Sequence, residues 1–223
     1  MYDHTTQKSS ETRSARASLV RSILHAAAGL TRAVTFAGAA FAVETVPNAG
    51  EARFSPRGFK GAIGVAGMEP ADNQHLDSGS GGFLALGYGI DPHATIWLTL
   101  TGSEHEQNGE GVPEDRMSDV GGVEFSLQYA LNTQNRLQPY GRIGLGAYSV
   151  EDRKTHDALA GGGVRVGIGA DYWFSRHCAV GLELVARGAE YSQGRTGKNG
   201  DFDDLDEDVD ANSTGAVISF TLQ

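Results

Sequence analysis

From residue 57 onward the chain alternates apolar and polar positions with a period of two. In Val123-Glu124-Phe125-Ser126-Leu127-Gln128-Tyr129 every odd position is apolar or aromatic, and every even one carries a charge, hydroxyl or amide. Successive side chains of a β-strand leave the backbone on opposite sides, so this period marks strands with two unlike faces. It predicts strands over 57–68, 81–90, 94–102, 119–131, 138–150, 162–173, 178–191 and 213–222. Asp91-Pro92-His93, Asn132–Leu137 and Phe174–His177 give tight connections. The others, Glu69–Ser80, Ser103–Ser118, Glu151–Ala160 and Ser192–Asn212, are long and polar. Short and long connections alternate strictly. In an up-and-down antiparallel arrangement every second connection falls at the same end, so one end is trimmed and the other decorated.

The two faces then fix the environment. One face carries Phe59, Ile63, Leu86, Leu98, Phe125, Leu145 and their neighbours of like parity. The opposite face carries Lys60, Glu124, Arg142, Arg165, Asp171, Glu183 and Arg187, spaced by glycines such as Gly87, Gly144, Gly146 and Gly167. Asp119 and Glu190 share the apolar parity, but only at strand ends beside long connections. An Arg or Lys facing lipid at mid-depth costs about 2–4 kcal/mol, so the charged face is expected to point inward and the apolar face toward a bilayer. The expectation is an all-β fold, an eight-stranded antiparallel up-and-down transmembrane β-barrel, in the cell outer membrane. A soluble ligand-carrying barrel would reverse the faces.

Eight strands leave an interior only wide enough for side chains. The seven inward charges are therefore expected to pair in a lumen network, with glycines making room for larger neighbours and Trp97 filling space. A narrow porin-like solute channel is the alternative. Tyr88, Tyr129, Tyr140, Tyr172, Trp173 and Phe220 gather near the trimmed end, as an interfacial girdle would.

The N-terminus reads differently. Residues 13–42 run from a basic start to an Ala-rich apolar core and end Ala40-Phe41-Ala42, the form of a cleavable secretory signal. The expected organisation is a signal peptide over 1–42, a periplasmic linker over 43–56 and the barrel domain over 57–223. The first 42 residues carry Lys8, Arg13, Arg16, Arg21 and Arg32 against Asp3 and Glu11, so the rest is more acidic than the net charge of −10 for the whole chain. Such a balance argues against nucleic acid as a partner. Cys178 is the only cysteine, which excludes an internal disulfide.

Candidate chemistry is sparse. A lipid A-modifying barrel enzyme needs a Ser–His pair on a rigid wall with an orienting acid. His4 and His25 precede the barrel, and His75, His93, His105, His156 and His177 all fall in expected turns or loops, so no catalytic residue is assigned and the protein is expected not to be an enzyme. The last long connection holds Asp201, Asp203, Asp204, Asp206 and Asp208. Clustered carboxylates suit hard cations, yet the spacing lacks the Gly and Glu of an EF-hand loop. It stands as a weak cation-binding candidate beside the plainer reading of a solvated acidic loop. No cofactor is expected.

Two segments carry a resemblance. Gln138-Pro139-Tyr140-Gly141-Arg142-Ile143-Gly144-Leu145-Gly146 resembles the Pro-Tyr strand, closing in alternate glycines, of small outer-membrane barrels. Gly167-Ile168-Gly169-Ala170-Asp171-Tyr172-Trp173-Phe174, followed by Val180-Gly181-Leu182-Glu183-Leu184, resembles their next hairpin. The chain is thus similar to OmpA-like transmembrane barrels and related porin-like surface proteins over about residues 57–223. The resemblance implies insertion by the barrel-assembly machinery and a monomer among outer-membrane lipids and lipopolysaccharide. Those relatives commonly end on an aromatic residue, whereas this chain ends Phe220-Thr221-Leu222-Gln223.

Overall fold

The computed structural model describes residues 57–70, 78–107 and 116–223. The expected signal peptide and linker, and His75, lie outside the described residues. Eight strands follow one another: β1 (Gly58–Pro70), β2 (Gly79–Gly89), β3 (Ala94–Glu106), β4 (Met117–Ala130), β5 (Leu137–Asp152), β6 (Ala158–Trp173), β7 (Cys178–Arg195) and β8 (Asp203–Leu222). Each pairs antiparallel with the next, and β1 pairs with β8 from Gly61↔Leu222 to Pro70↔Ser213, which closes the sheet into a barrel. Closure removes the unpaired edges that an open sheet would leave in lipid, where no water could satisfy them.

The parity read from the sequence is the parity of the barrel. Phe59 is 83% exposed and Leu145 67%, whereas Glu124 is 0% exposed. Apolar residues face outward and the polar set faces the lumen. Outward glycines, Gly61, Gly67, Gly102 and Gly141, have open space where a Cβ would stand. Inward ones do not. A Cβ on Gly122, Gly146 or Gly163 would come within 2.6–2.8 Å of the Tyr148 ring, and one on Gly87 within 2.7 Å of Trp97. These glycines are gaps into which the lumen aromatics fit.

At the trimmed end the strands stop within about one residue of the expected positions, because Pro, Asp, Asn and Ser punctuate the turns there. Asp91 shows how: its Oδ1 accepts from the backbone amides of His93 and Ala94, at 2.6 and 2.8 Å, and reverses the chain. At the decorated end all strands run further than expected. The connection after β5 shrinks to residues 153–157, and most of the expected Ser192–Asn212 loop is strand. The physical reason is that above a bilayer both strand faces meet water, so alternation fades while backbone pairing continues. The β7–β8 hairpin climbs highest. It pairs as far as Gly194↔Asp203, beyond the last β1 partner, with a register shift between Tyr191 and Gln193.

The girdle needs a correction. Tyr88, Tyr129, Tyr172 and Phe220 face outward, but Tyr140 and Trp173 are 5% and 3% exposed and point into the lumen. Each is one position out of phase with an outward neighbour, so proximity to the strand end does not place it at the interface. Phe59 and Phe174 take their places: Phe59 meets Tyr88 edge-on at 5.1 Å and Phe174 lies 6.1 Å from Phe220.

Candidate functional site

The chemistry of the barrel lies across its middle. Glu124 on β4 accepts from Arg165 Nη1 of β6 at 2.7 Å, from Tyr148 of β5 at 2.9 Å and from Arg187 of β7. Arg165 turns its other terminal nitrogen to Glu183 Oε1 at 2.8 Å. Glu183 also accepts from the Tyr140 hydroxyl at 3.1 Å and lies 3.5 Å from Arg142 Nη1. Arg142 Nη2 donates to Gln128 Oε1 at 2.5 Å, and Gln128 Nε2 donates to Asp171 Oδ2 at 3.2 Å. Six of the seven expected residues thus form one connected path: Asp171, Arg142, Glu183, Arg165, Glu124 and Arg187, with Gln128 as a bridge.

Lys60 stands apart. Its Nζ donates to Thr95 at 3.3 Å and lies 5.7 Å from the centre of the Trp173 ring. Aromatic faces share the cationic load elsewhere too, with Arg142 over Trp97 at 5.4 Å and Arg187 over Tyr148 at 4.8 Å. Sequence reasoning did not assign Gln128, Tyr140 or Tyr148 to this network. The parity of all three could have placed them, since each shares its strand's inward phase. Apolar side chains fill much of the remaining lumen: Ala62 and Ala85 pack on Trp97, and Met68 packs with Val185 and Val217.

Above the network, toward the decorated end, the lumen holds two small cavities. One of about 20 Å³ is bounded by Arg142, Arg165, Arg187 and Thr99 against Phe83 and Val217. The other, of about 60 Å³, lies above it and is bounded by Met68, Ser103, His105, Tyr148, Arg187 and Tyr191.

His105 requires a second correction. It lies within β3, not in a loop, and is buried with its Nε2 3.0 Å from Ser103 Oγ. The pair therefore does sit on a rigid wall rather than in a loop. It faces the lumen, on the side of the wall away from the bilayer. The acidic candidates are spread out: Asp201 lies in the turn before β8, while Asp203, Asp204, Asp206 and Asp208 lie along β8 and are exposed. Alternate side chains of a strand point to opposite faces, so Asp203 and Asp204 diverge. Among the described residues no group of three or more His, Cys, Asp or Glu side chains is gathered to hold a metal ion.

At the outer boundary a row of outward carboxylates crosses three strands, with Glu104 beside Asp119 and Asp119 beside Glu151. Arg153 bridges Glu104 and Asp119, and Arg195 reaches Glu151 at 3.3 Å.

The family model described as the outer membrane protein beta-barrel domain matches residues 31–220. The chain belongs to that family. Its barrel is an outer-membrane barrel, with the apolar belt facing lipid. Among solved structures, the outer membrane protein OprG from Pseudomonas aeruginosa superposes with a TM-score of 0.56 at 13% identity, covering 77% of this chain and 98% of that one. Neisserial surface protein A matches at 16% identity and TM-score 0.48, over 74% of this chain and 96% of its own. The attachment invasion locus protein Ail of Yersinia pestis matches at 10% identity and TM-score 0.44, over 74% and 99%. The likeness to OprG is one of fold. No curated protein matches the sequence.

Proposed function

We propose that this outer-membrane barrel is a non-enzymatic component of the envelope whose lumen is closed and whose acidic outer end makes surface contacts. The observation that carries this reading is the continuous path from Asp171 to Arg187, which spans the lumen and joins β4, β5, β6 and β7 through side chains. A chain of charge-assisted bonds, with the apolar clusters around Trp97 and Met68 filling the space beside it, leaves no open polar route for a solute. The acidic β7–β8 hairpin and the Glu104–Asp119–Glu151 row supply the contact surface, with lipopolysaccharide bridged by divalent cations as the chemistry that fits their charge. The barrel works as a monomer among outer-membrane lipids after delivery by the barrel-assembly machinery. The Ser103–His105 pair supports no lipid A chemistry, since a lumen-facing hydroxyl does not meet an acyl chain in the bilayer.

Conductance across planar bilayers tests the closed lumen. The purified barrel is expected to give no unitary steps, while Arg142→Ala, which removes one crossing side chain, is expected to give intermittent ones. Steady steps from the native barrel would favour the narrow solute channel.

A further inference from the structure

The mid-lumen charges do not cancel at the smaller cavity. Three arginines line it, Arg142, Arg165 and Arg187. The carboxylates bonded to these arginines are Glu124 and Glu183, which leaves one positive charge in excess. Asp171 does not remove the excess when Lys60 is counted with it. The arginines also keep spare donors. The Nε groups of all three are buried without a hydrogen-bond partner among the described residues, although their terminal nitrogens are engaged. Arg142 and Arg165 are only 9% and 6% exposed. Thr99, a fourth boundary residue, carries a buried hydroxyl that is likewise unpartnered.

We infer that this chamber is a binding site for a small monovalent anion of the halide class. Size selects the class. A cavity must offer about 10–15 Å³ to hold a water-sized particle, and this one offers about 20 Å³. That admits one monatomic ion and rejects an organic anion. Chemistry agrees. An unpaired buried donor is costly, and an excess buried charge more so, so an ion that meets both needs is favoured over water, which meets only the first. The Phe83, Met68 and Val217 side lowers the local dielectric and strengthens the attraction. Entry is from the decorated end, through the larger cavity, which shares Met68, Ser103 and Arg187 with the chamber.

The test is the chloride NMR linewidth of the purified chain folded in detergent micelles. A saturable excess linewidth is expected, displaced by bromide and left unchanged by gluconate at equal ionic strength. Arg187→Gln removes the excess charge and should weaken apparent affinity at least about tenfold, because one facing charge at an effective dielectric constant near 20 is worth more than that. Thr99→Val removes the spare hydroxyl without altering charge and serves if Arg187→Gln does not fold. Displacement by gluconate, or equal affinity in the folded variants, would assign the broadening to surface cations and overturn the site. Absence of any excess broadening would overturn it as well.

Discussion

Glu124 is the residue on which the interior turns. It is fully buried and receives Arg165, Arg187 and Tyr148 from three different strands. Removing one partner of a buried ion pair leaves the other charge uncompensated, at a cost of about 3–5 kcal/mol. Glu124→Gln, which keeps the shape, is therefore expected to lower the urea midpoint of the folded barrel markedly. Glu104→Gln, which loosens an exposed pair with Arg153, should leave that midpoint almost unchanged. Equal shifts in the two variants would show that the buried network contributes no more than the surface one. At this scale the sequence was legible wherever parity alone decided. All seven lumen charges face inward as the alternation requires, and Trp97 does as well, donating to Gln128 at 2.9 Å. Tyr140 and Trp173 lie near a strand end but in the inward phase, and phase, not nearness to the end, decides their side. Partner identity was not legible, since it depends on which residues the barrel's register brings level across strands.

Among the elements, the short β5–β6 connection has a stability tied to pH. Outward residues near it, Ser149 and Glu151, are polar, which places it above the apolar belt. Asp152 Oδ1 accepts from the amides of Lys154 and Thr155 at 2.8 and 3.0 Å, and its Oδ2 accepts from Gln107 at 3.0 Å and Arg116 at 2.5 Å. Burial opposes the charged carboxylate, but the Thr155 and Lys154 amides with Arg116 and Gln107 outweigh it and hold the group down at about 2, from an ordinary 3.8. A carboxyl lowered on folding stabilises fully above its unfolded value, and that contribution fades as pH falls through the folded one. Protection of the Lys154 and Thr155 amides from hydrogen exchange should thus hold above about pH 4 and decline toward about pH 2. Asp152→Asn should lose much of it throughout. Protection factors that stay level across that range in the native chain would contradict the account. The sequence did not reveal this clamp. Glu151–Ala160 reads as a long loop, because the residues that fasten it, Gln107 and Arg116, lie on a different connection. The trimmed turns are legible since their own Asp91, Asn132 and Ser175 side chains fasten them.

The whole molecule is polar along its axis, and this fixes how it sits. Its outward carboxylates, Glu69, Glu104, Asp119, Glu151 and Glu190, all lie toward the decorated end, while Phe59, Tyr88, Tyr129, Tyr172, Phe174 and Phe220 encircle the trimmed one. Between them the strands present apolar stretches such as the outward Val123, Phe125, Leu127, Tyr129 and Leu131 along and just past β4, in keeping with a span of about 9–11 tilted residues. Outer-membrane barrels keep short turns in the periplasm and longer connections outside. Cysteine labelling reads that direction. With Cys178 replaced by Ser, Lys198→Cys in the exposed β7–β8 connection should react with a membrane-impermeant maleimide on intact cells. Arg176→Cys in the exposed turn between β6 and β7 should react only once the outer membrane has been permeabilised. The opposite pattern would invert the barrel. It would put the acidic hairpin in the periplasm, deny it contact with the cell's surroundings, and turn the mouth of the anion chamber inward.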